Sequence, residues 1–217
     1  MNYWTKELNE LLSEFSNIEE IKNYTFVGGS ALAYYLKHRI SYDIDLFSPE
    51  NFLDFKIIDK IIKKIKKHYN VVKITKTSEQ VDYIINNVNV KFCASGISQL
   101  NNFRKNLKKQ LYIGTPELLC AMKVYAIGRR ATIKDYFDIY VILKKEIFNL
   151  NELKEITEKI FGEYFFKKLF FKQLLLVTEI KESLSEFDIL IAHKEIDKDE
   201  IKNFFKQKIN EAIKSQG

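Results

Sequence analysis

A mixed β-sheet flanked by helices and followed by a helical C-terminal region is the fold that the sequence predicts, an α/β class of the α+β kind. Three observations predict it. Strand-like apolar runs are confined to residues 24–92, segments of helical period stand between them, and from Thr115-Pro116-Glu117 onward every patterned stretch is helical. The boundary is expected near residue 112, giving a core over residues 1–112 and a helical region over residues 113–217 packed on it.

In chain order, a helix is expected near residues 3–16. Tyr24-Thr25-Phe26-Val27 reads as a strand and Ala31-Leu32-Ala33-Tyr34-Tyr35-Leu36 has helical composition, so Gly28-Gly29-Ser30 is a strand-to-helix turn. An acidic strand follows at 43–47. From Asn51 to Tyr69, Phe52, Phe55, Ile58, Ile61, Ile62, Ile65 and Tyr69 recur at helical spacing, with Lys56, Lys60, Lys63, Lys64, Lys66 and Lys67 largely elsewhere around the axis. This is a basic amphipathic helix. Three strands are expected at 71–76, 81–85 and 88–92, the last two joined by a turn at Asn86-Asn87. Thr115 as cap and Pro116 at the first helical position then open the helical region.

Composition bounds the function classes. Hydrophobic content of 46% and charged content of 29% are those of a soluble globular protein. No apolar run approaches a membrane span and the N-terminus lacks a signal-peptide pattern, so a cytoplasmic location without a membrane partner is expected. Cys93 and Cys120 have neither metal-ligand spacing nor a nearby His, which points to buried thiols. The net charge of +6 is modest, with lysines gathered at 60–67, 105–109 and 167–172. Such clusters suit an RNA backbone, although a charge run is also an ordinary solvated face. Only Arg39, Arg104, Arg129 and Arg130 are arginines. The guanidinium fork binds phosphate well, which makes Arg39 and Arg129 candidate triphosphate or RNA contacts. For Arg130, pairing with Asp135, Asp138 or Glu117 is an equal alternative.

The chemistry centres on residues 28–45. Asp43 and Asp45, at i and i+2 of a strand, share one face about 6.6 Å apart along it. One divalent cation can bind between them. Mg²⁺ favours one or two carboxylates completed by substrate phosphates and water, so the pair is an incomplete site that a nucleoside triphosphate would finish. Gly28 and Gly29 allow close backbone approach to an anion, and Ser30 can cap the helix or donate a hydroxyl. The same alternation places Ser41 beside the two acids, where a phosphate added to it would block the triphosphate.

Gly28-Gly29-Ser30-Ala31-Leu32-Ala33, followed by His38-Arg39-x-Ser41-x-Asp43-Ile44-Asp45-Leu46-Phe47-Ser48, resembles the AbiEii/AbiGii toxin family of the nucleotidyltransferase-like superfamily. A second block resembles the family's downstream lysine and aspartate motifs. It comprises Pro116-Glu117-Leu118-Leu119-Cys120-Ala121-Met122-Lys123, Arg129-Arg130 and Lys134-Asp135-x-x-Asp138. The resemblance covers roughly residues 20–145.

The resemblance implies a nucleotidyltransferase-type mixed sheet and a catalytic set of Asp43, Asp45, Lys123 and Asp138. It implies nucleotide binding by Gly28, Gly29, Ser30, Arg39, Ser41, Lys123 and Arg129, with Mg²⁺ on Asp43 and Asp45. Lys123 would contact the triphosphate, while Asp138 would either orient Lys123 or help to deprotonate the acceptor. Its partners would be a nucleoside triphosphate, an RNA acceptor such as a transfer RNA 3′ end, and a cognate antitoxin. One departure stands out. Many such enzymes carry a third carboxylate on a later strand, and Lys91 occupies that position here, with Asp82 the nearest substitute. Two alternatives remain open: a same-fold transferase acting on a protein or aminoglycoside hydroxyl, and a nucleotide-binding protein without turnover.

Overall fold

The computed structural model describes residues 3–130, 132–186, 189 and 196–215. The chain divides into two compact units, one of residues 1–35 with 40–116 and one of residues 36–39 with 117–217.

The first unit opens with helix α1 (Lys6–Phe15), whose N-cap Thr5 accepts from Leu8 N–H and whose Leu8, Leu11, Leu12 and Phe15 are buried. Strand β1 (Thr25–Val27) runs directly into helix α2 (Gly28–Leu36), and the chain returns as β2 (Asp43–Ser48). Helix α3 (Phe55–Ile65) is shorter than its hydrophobic period suggests. The Asp54 side chain accepts from the N–H groups of Lys56 and Ile57 and fixes the start there, leaving Phe52 exposed before the helix. Strands β3 (Val71–Lys76), β4 (Gln80–Ile85) and β5 (Val88–Ala94) follow. The β4–β5 turn is Asn86-Asn87, with φ of 45° and 68°, as a tight hairpin of this twist requires.

A hairpin that the sequence pattern does not announce completes the sheet: β6 (Arg104–Lys108) and β7 (Leu111–Gly114). The seven strands lie in the order β3-β4-β5-β2-β1-β7-β6. Strand β1 pairs antiparallel with β2 and parallel with β7, and β2 pairs parallel with β5. One face of the central strands is closed, since Ile44, Leu46, Val81, Tyr83, Val90 and Phe92 are buried. The other carries Asp43, Asp45, Asp82, Asn89 and Lys91 at exposed or half-buried positions.

The second unit is helical among its described residues. It holds α4 (Pro116–Ile127), α5 (Ile133–Lys144), α6 (Leu150–Phe161), α7 (Phe170–Leu174) and α8 (Lys198–Lys214). Helix α6 starts in a capping box of Asn149 and Glu152. Helix α5 is buried almost all round, and α8 packs on α5, α6 and α7, burying Ile201, Phe205 and Ile209. The expected Thr115 cap of α4 is not formed: Pro116 begins the helix, but the buried Thr115 hydroxyl has no hydrogen-bond partner among the described residues. No helix of the described residues is long and apolar enough to cross a membrane.

Candidate active site

In the first unit the alternation of β2 decides the geometry. Ile44 and Leu46 are fully buried, which turns Asp43 and Asp45 to the open face. The parallel register sets Asp43 opposite Asn89 and Asp45 opposite Lys91 on β5, and the antiparallel register beyond sets Lys91 opposite Asp82 on β4. Asn89 Nδ2 donates to Asp43 Oδ1 at 3.0 Å. Lys91 makes no hydrogen bond or ion pair among the described residues. Asp82 accepts from Thr75 Oγ1 at 2.8 Å and from Gln80 Nε2 at 2.9 Å, so the substitute acid is engaged two strands from β2.

Gly28 explains the position of the Asp45 carboxylate. Its φ is +78°, and a Cβ built there would lie 2.0 Å from Asp45 Oδ2, so the acid rests directly on the glycine backbone at the start of α2. Gly29 follows, half-buried, in the first turn of that helix. The buried Ser30 ties the helix to the acidic strand, because its hydroxyl bonds the Asp43 carbonyl and the Ser41 hydroxyl, the latter at 2.8 Å. Trp4 Nε1 donates to the Ser30 carbonyl from the other side. Ser41 lies outside β2 and is 5% exposed. Its hydroxyl is buried and engaged by Ser30, which argues against the expectation of a regulatory phosphate there.

The donor set suits a hard cation. Two carboxylates on an open face, one seated in a cradle that any Cβ would fill, offer oxygens of the kind Mg²⁺ takes. No group of three or more His, Cys, Asp or Glu side chains capable of holding a metal occurs among the described residues. Asp43 and Asp45 are the carboxylates that β2 offers at this face.

In the second unit, Arg39, Lys123 and Asp138 come together, joined by His38 and Asp135, which the motif contains but which were given no role from sequence. Asp138, 0% exposed, takes Arg39 in a fork, Nε to Oδ1 at 2.8 Å and Nη2 to Oδ2 at 3.1 Å. It also accepts from His38 Nε2 at 2.6 Å and pairs with Lys123 Nζ at 2.7 Å. Lys123, 5% exposed, donates a further bond to Asp135 at 2.8 Å, and Asp135 takes Arg130 Nε at 3.2 Å and the Thr132 hydroxyl at 2.9 Å. Both Lys123 and Asp138 are thus enclosed in the fold, and Arg130 takes the ion-pair alternative.

Electrostatics locks this network. Burial alone would raise the Asp138 carboxyl, but Arg39, Lys123 and His38 outweigh it and hold the group well below its ordinary range. Burial likewise opposes the Lys123 charge, yet Asp138 and Asp135 raise its pKa. For Asp135, Lys123 and Arg130 overcome burial and lower it. His38 goes the other way: desolvation prevails over the attraction of Asp138, so the imidazole is held neutral, donating through Nε2 while its Nδ1 has no hydrogen-bond partner among the described residues. The buried charges cancel, Arg39 and Lys123 against Asp135 and Asp138. An acid that is enclosed and held ionised by two cations is a poor proton acceptor, which leaves the positioning of Lys123 as what Asp138 can do.

Arg129 stands apart from this network. It is exposed, with its guanidinium 4.3 Å from the Tyr125 ring centre. Asn89 is the contact that sequence reasoning missed in the first unit; its signal was alternation with Lys91 on a strand that pairs with β2.

Comparison with known proteins agrees with this geometry. Residues 10–97 match the family described as nucleotidyl transferase AbiEii toxin, type IV TA system. That range contains the glycine turn and both aspartates and ends before the Lys123 block. An uncharacterised protein of Aquifex aeolicus is 26% identical over 211 residues, covering 97% of this chain and 98% of its own length. Crystal structures of JHP933 and of a candidate nucleotidyltransferase, both from Helicobacter pylori, share the fold at TM-scores of 0.57 and 0.56. Each is 15% identical, over 98% and 97% of this chain and 96% and 98% of theirs. The solved structures, at 15% identity, establish the fold. Over residues 10–97 the chain is thus similar to the AbiEii nucleotidyl transferase toxins, and it shares the fold of the two Helicobacter pylori structures.

Proposed function

We propose that this protein is the toxin of a toxin–antitoxin pair and moves a nucleoside monophosphate from a nucleoside triphosphate to an RNA hydroxyl, with the 3′ end of a transfer RNA as acceptor. The observation that carries the reading is the open pair Asp43 and Asp45, with the Asp45 carboxylate resting on the Gly28 backbone. Asp43 and Asp45 would hold Mg²⁺, which supplies charge neutralisation for the donor phosphates when bound. The acceptor oxygen forms a bond to the α-phosphorus as the bond from that phosphorus to the bridging oxygen breaks. Pyrophosphate leaves with the electron pair, and the hydroxyl proton passes to solvent. Gly28, Gly29 and Ser30 supply close backbone approach at the helix start.

Lys123 is assigned to the donor phosphates as a fixed cation. Two of its three N–H groups go to Asp135 and Asp138, leaving one for a phosphate oxygen. In this reading Asp138, Arg39 and His38 are positioning residues that hold the ammonium still. The protein works in the cytoplasm beside an antitoxin that restrains it.

A second reading, a nucleotide-binding protein without turnover, is favoured by Lys91 standing opposite Asp45. One assay separates the two. The protein is incubated with Mg²⁺ and each α-labelled nucleoside triphosphate in turn, with total RNA, total protein or aminoglycosides as acceptor. Label at transfer RNA 3′ ends is expected. Label confined to protein or aminoglycoside would replace the acceptor and keep the reaction, and bound nucleotide without label in any fraction would establish the second reading.

A further inference from the structure

Away from the acid face and the buried charge network, the second unit carries a stack of planar groups with an open end. Phe161 lies parallel to Tyr125 at 4.0 Å between ring centres, with the planes 4° apart. A ring so covered leaves its other face for the Arg129 guanidinium at 4.3 Å. Beyond the guanidinium is a cavity of about 100 Å³ lined by Tyr125, Arg129, Tyr164, Phe166 and Gln173 among others. Its volume suits a planar ring system, not a folded peptide.

Three properties of this cavity identify a ligand class. Tyr164 and Phe166 are 64% and 66% exposed, large aromatic surfaces that the fold leaves in water. The Gln173 amide lies over Gly128, where a Cβ would come within 3.1 Å of its nitrogen, and makes no hydrogen bond among the described residues. It offers one donor and one acceptor side by side, the pattern that reads a base edge. The surrounding charge is positive: residues 161–174 hold Lys167, Lys168 and Lys172 against Glu163 alone. Lys167 pairs with Glu158, while Lys168 and Lys172 are exposed without an ion pair among the described residues.

We propose that this cavity seats one unstacked base of a single-stranded RNA, with the base lying on the Arg129 guanidinium between Tyr164 and Phe166 and its edge read by Gln173. The inference rests on the RNA-acceptor reading above and names the surface that grips that acceptor. A protein partner is the competing occupant. The open-ended stack, the unpaired amide and the cationic rim together match an aromatic polyanion better than a peptide.

The test measures binding of the full chain to short fluorescent single-stranded RNAs and to an abasic ribose-phosphate oligomer of equal charge, without Mg²⁺ or nucleoside triphosphate. The base-bearing oligomer is expected to bind about ten-fold more tightly, the order of one stacked base. Tyr164→Ala with Phe166→Ala should erase that margin while leaving abasic binding and the melting temperature unchanged. Lys168→Glu should weaken both oligomers alike and flatten the salt dependence. Equal affinity for the two oligomers, or a margin that survives the double variant, overturns the proposal. Displacement by free AMP at matched nucleotide concentration would overturn it in favour of a mononucleotide seat, and no binding of any oligomer would leave a protein-docking face. Because no nucleotide is transferred in this assay, its failure leaves the transferase reading standing, and a chain that binds bases but labels nothing would leave this inference standing instead.

Discussion

Asp43 and Asp45 on the open face of β2 and Asp135 and Asp138 on α5 are the same chemical groups in opposite surroundings. Asp138 is enclosed and meets two cations and an imidazole, so its charge is spent inside the fold. Asp43 meets the neutral amide of Asn89 and is otherwise turned to solvent, so its charge is left for something else to answer. The difference is one of desolvation. A carboxylate is retained in a closed interior only with cations to balance it, whereas an exposed one such as Asp43 is tolerated because water screens it. Pairing in the network around Asp138 fixes its side chains in place, and the open carboxylate of Asp43 keeps oxygens free to meet a ligand.

The comparison breaks most visibly at Asp138. Asp138→Asn should leave Arg39 and Lys123 under-compensated and lower unfolding stability by about 3–5 kcal/mol, read from urea melts. A loss below about 1 kcal/mol would show that water reaches the network. Asp43→Ala and Asp45→Ala are expected to do the reverse. Label transfer should fall by at least about 10²–10³-fold as the anchor for the donor phosphates is lost, while stability stays within about 0.5 kcal/mol of the parent. Transfer at the parental rate by either folded variant would remove the acid pair from the site.

Smaller effects sharpen the contrast. Gly28→Ala adds a Cβ against Asp45 and imposes a left-handed φ, for an expected cost of about 1–3 kcal/mol in stability together with weakened Mn²⁺ binding by titration. Unchanged metal affinity would mean that Asp45 does not need its glycine seat. The smallest effect is a pH dependence. His38 has its pKa lowered below the ordinary 6.5 by burial, so above pH 6.5 it is neutral both folded and unfolded. Below that pH the unfolded chain binds a proton that the folded chain refuses, so stability falls with acidification, by at most about 1.4 kcal/mol per pH unit. His38→Gln should flatten the stability profile between pH 5 and pH 7, as followed by thermal melts across that range.

How much could be read from the sequence varied with the range of the interactions. The i and i+2 aspartates and the Asn86-Asn87 hairpin depend on neighbours a few residues away, and both stand where local rules place them, whereas Gly28, Gly29 and Ser30, expected as a turn with Ser30 as a cap, form the first turn of α2 itself. The β6–β7 hairpin was hidden because Lys105, Lys108 and Lys109 read as a charge cluster. What makes it a strand pair is the alignment of β7 with β1, some 85 residues earlier in the chain. Lys123 was read as a phosphate ligand, and its enclosure was not foreseen. The signal was present: Leu118, Leu119, Ala121, Val124 and Ile127 wrap α4 in apolar side chains, and Asp135 and Asp138 stand three apart on the helix that follows. A lysine inside such a helix needs acids, and these are the acids in reach.

The order of the sheet has a further consequence, for solubility. Its outermost strands are β3 and β6, and an unpaired edge can recruit the edge of another molecule and grow into an aggregate. Lys73 and Lys76 are exposed on β3, and Lys105 and Lys108 on β6. Pairing two such margins would set ammonium groups beside one another as cross-strand neighbours on the faces of the joined sheet, where like charges repel. The lysines at these positions oppose the pairing of one sheet's edge with another's.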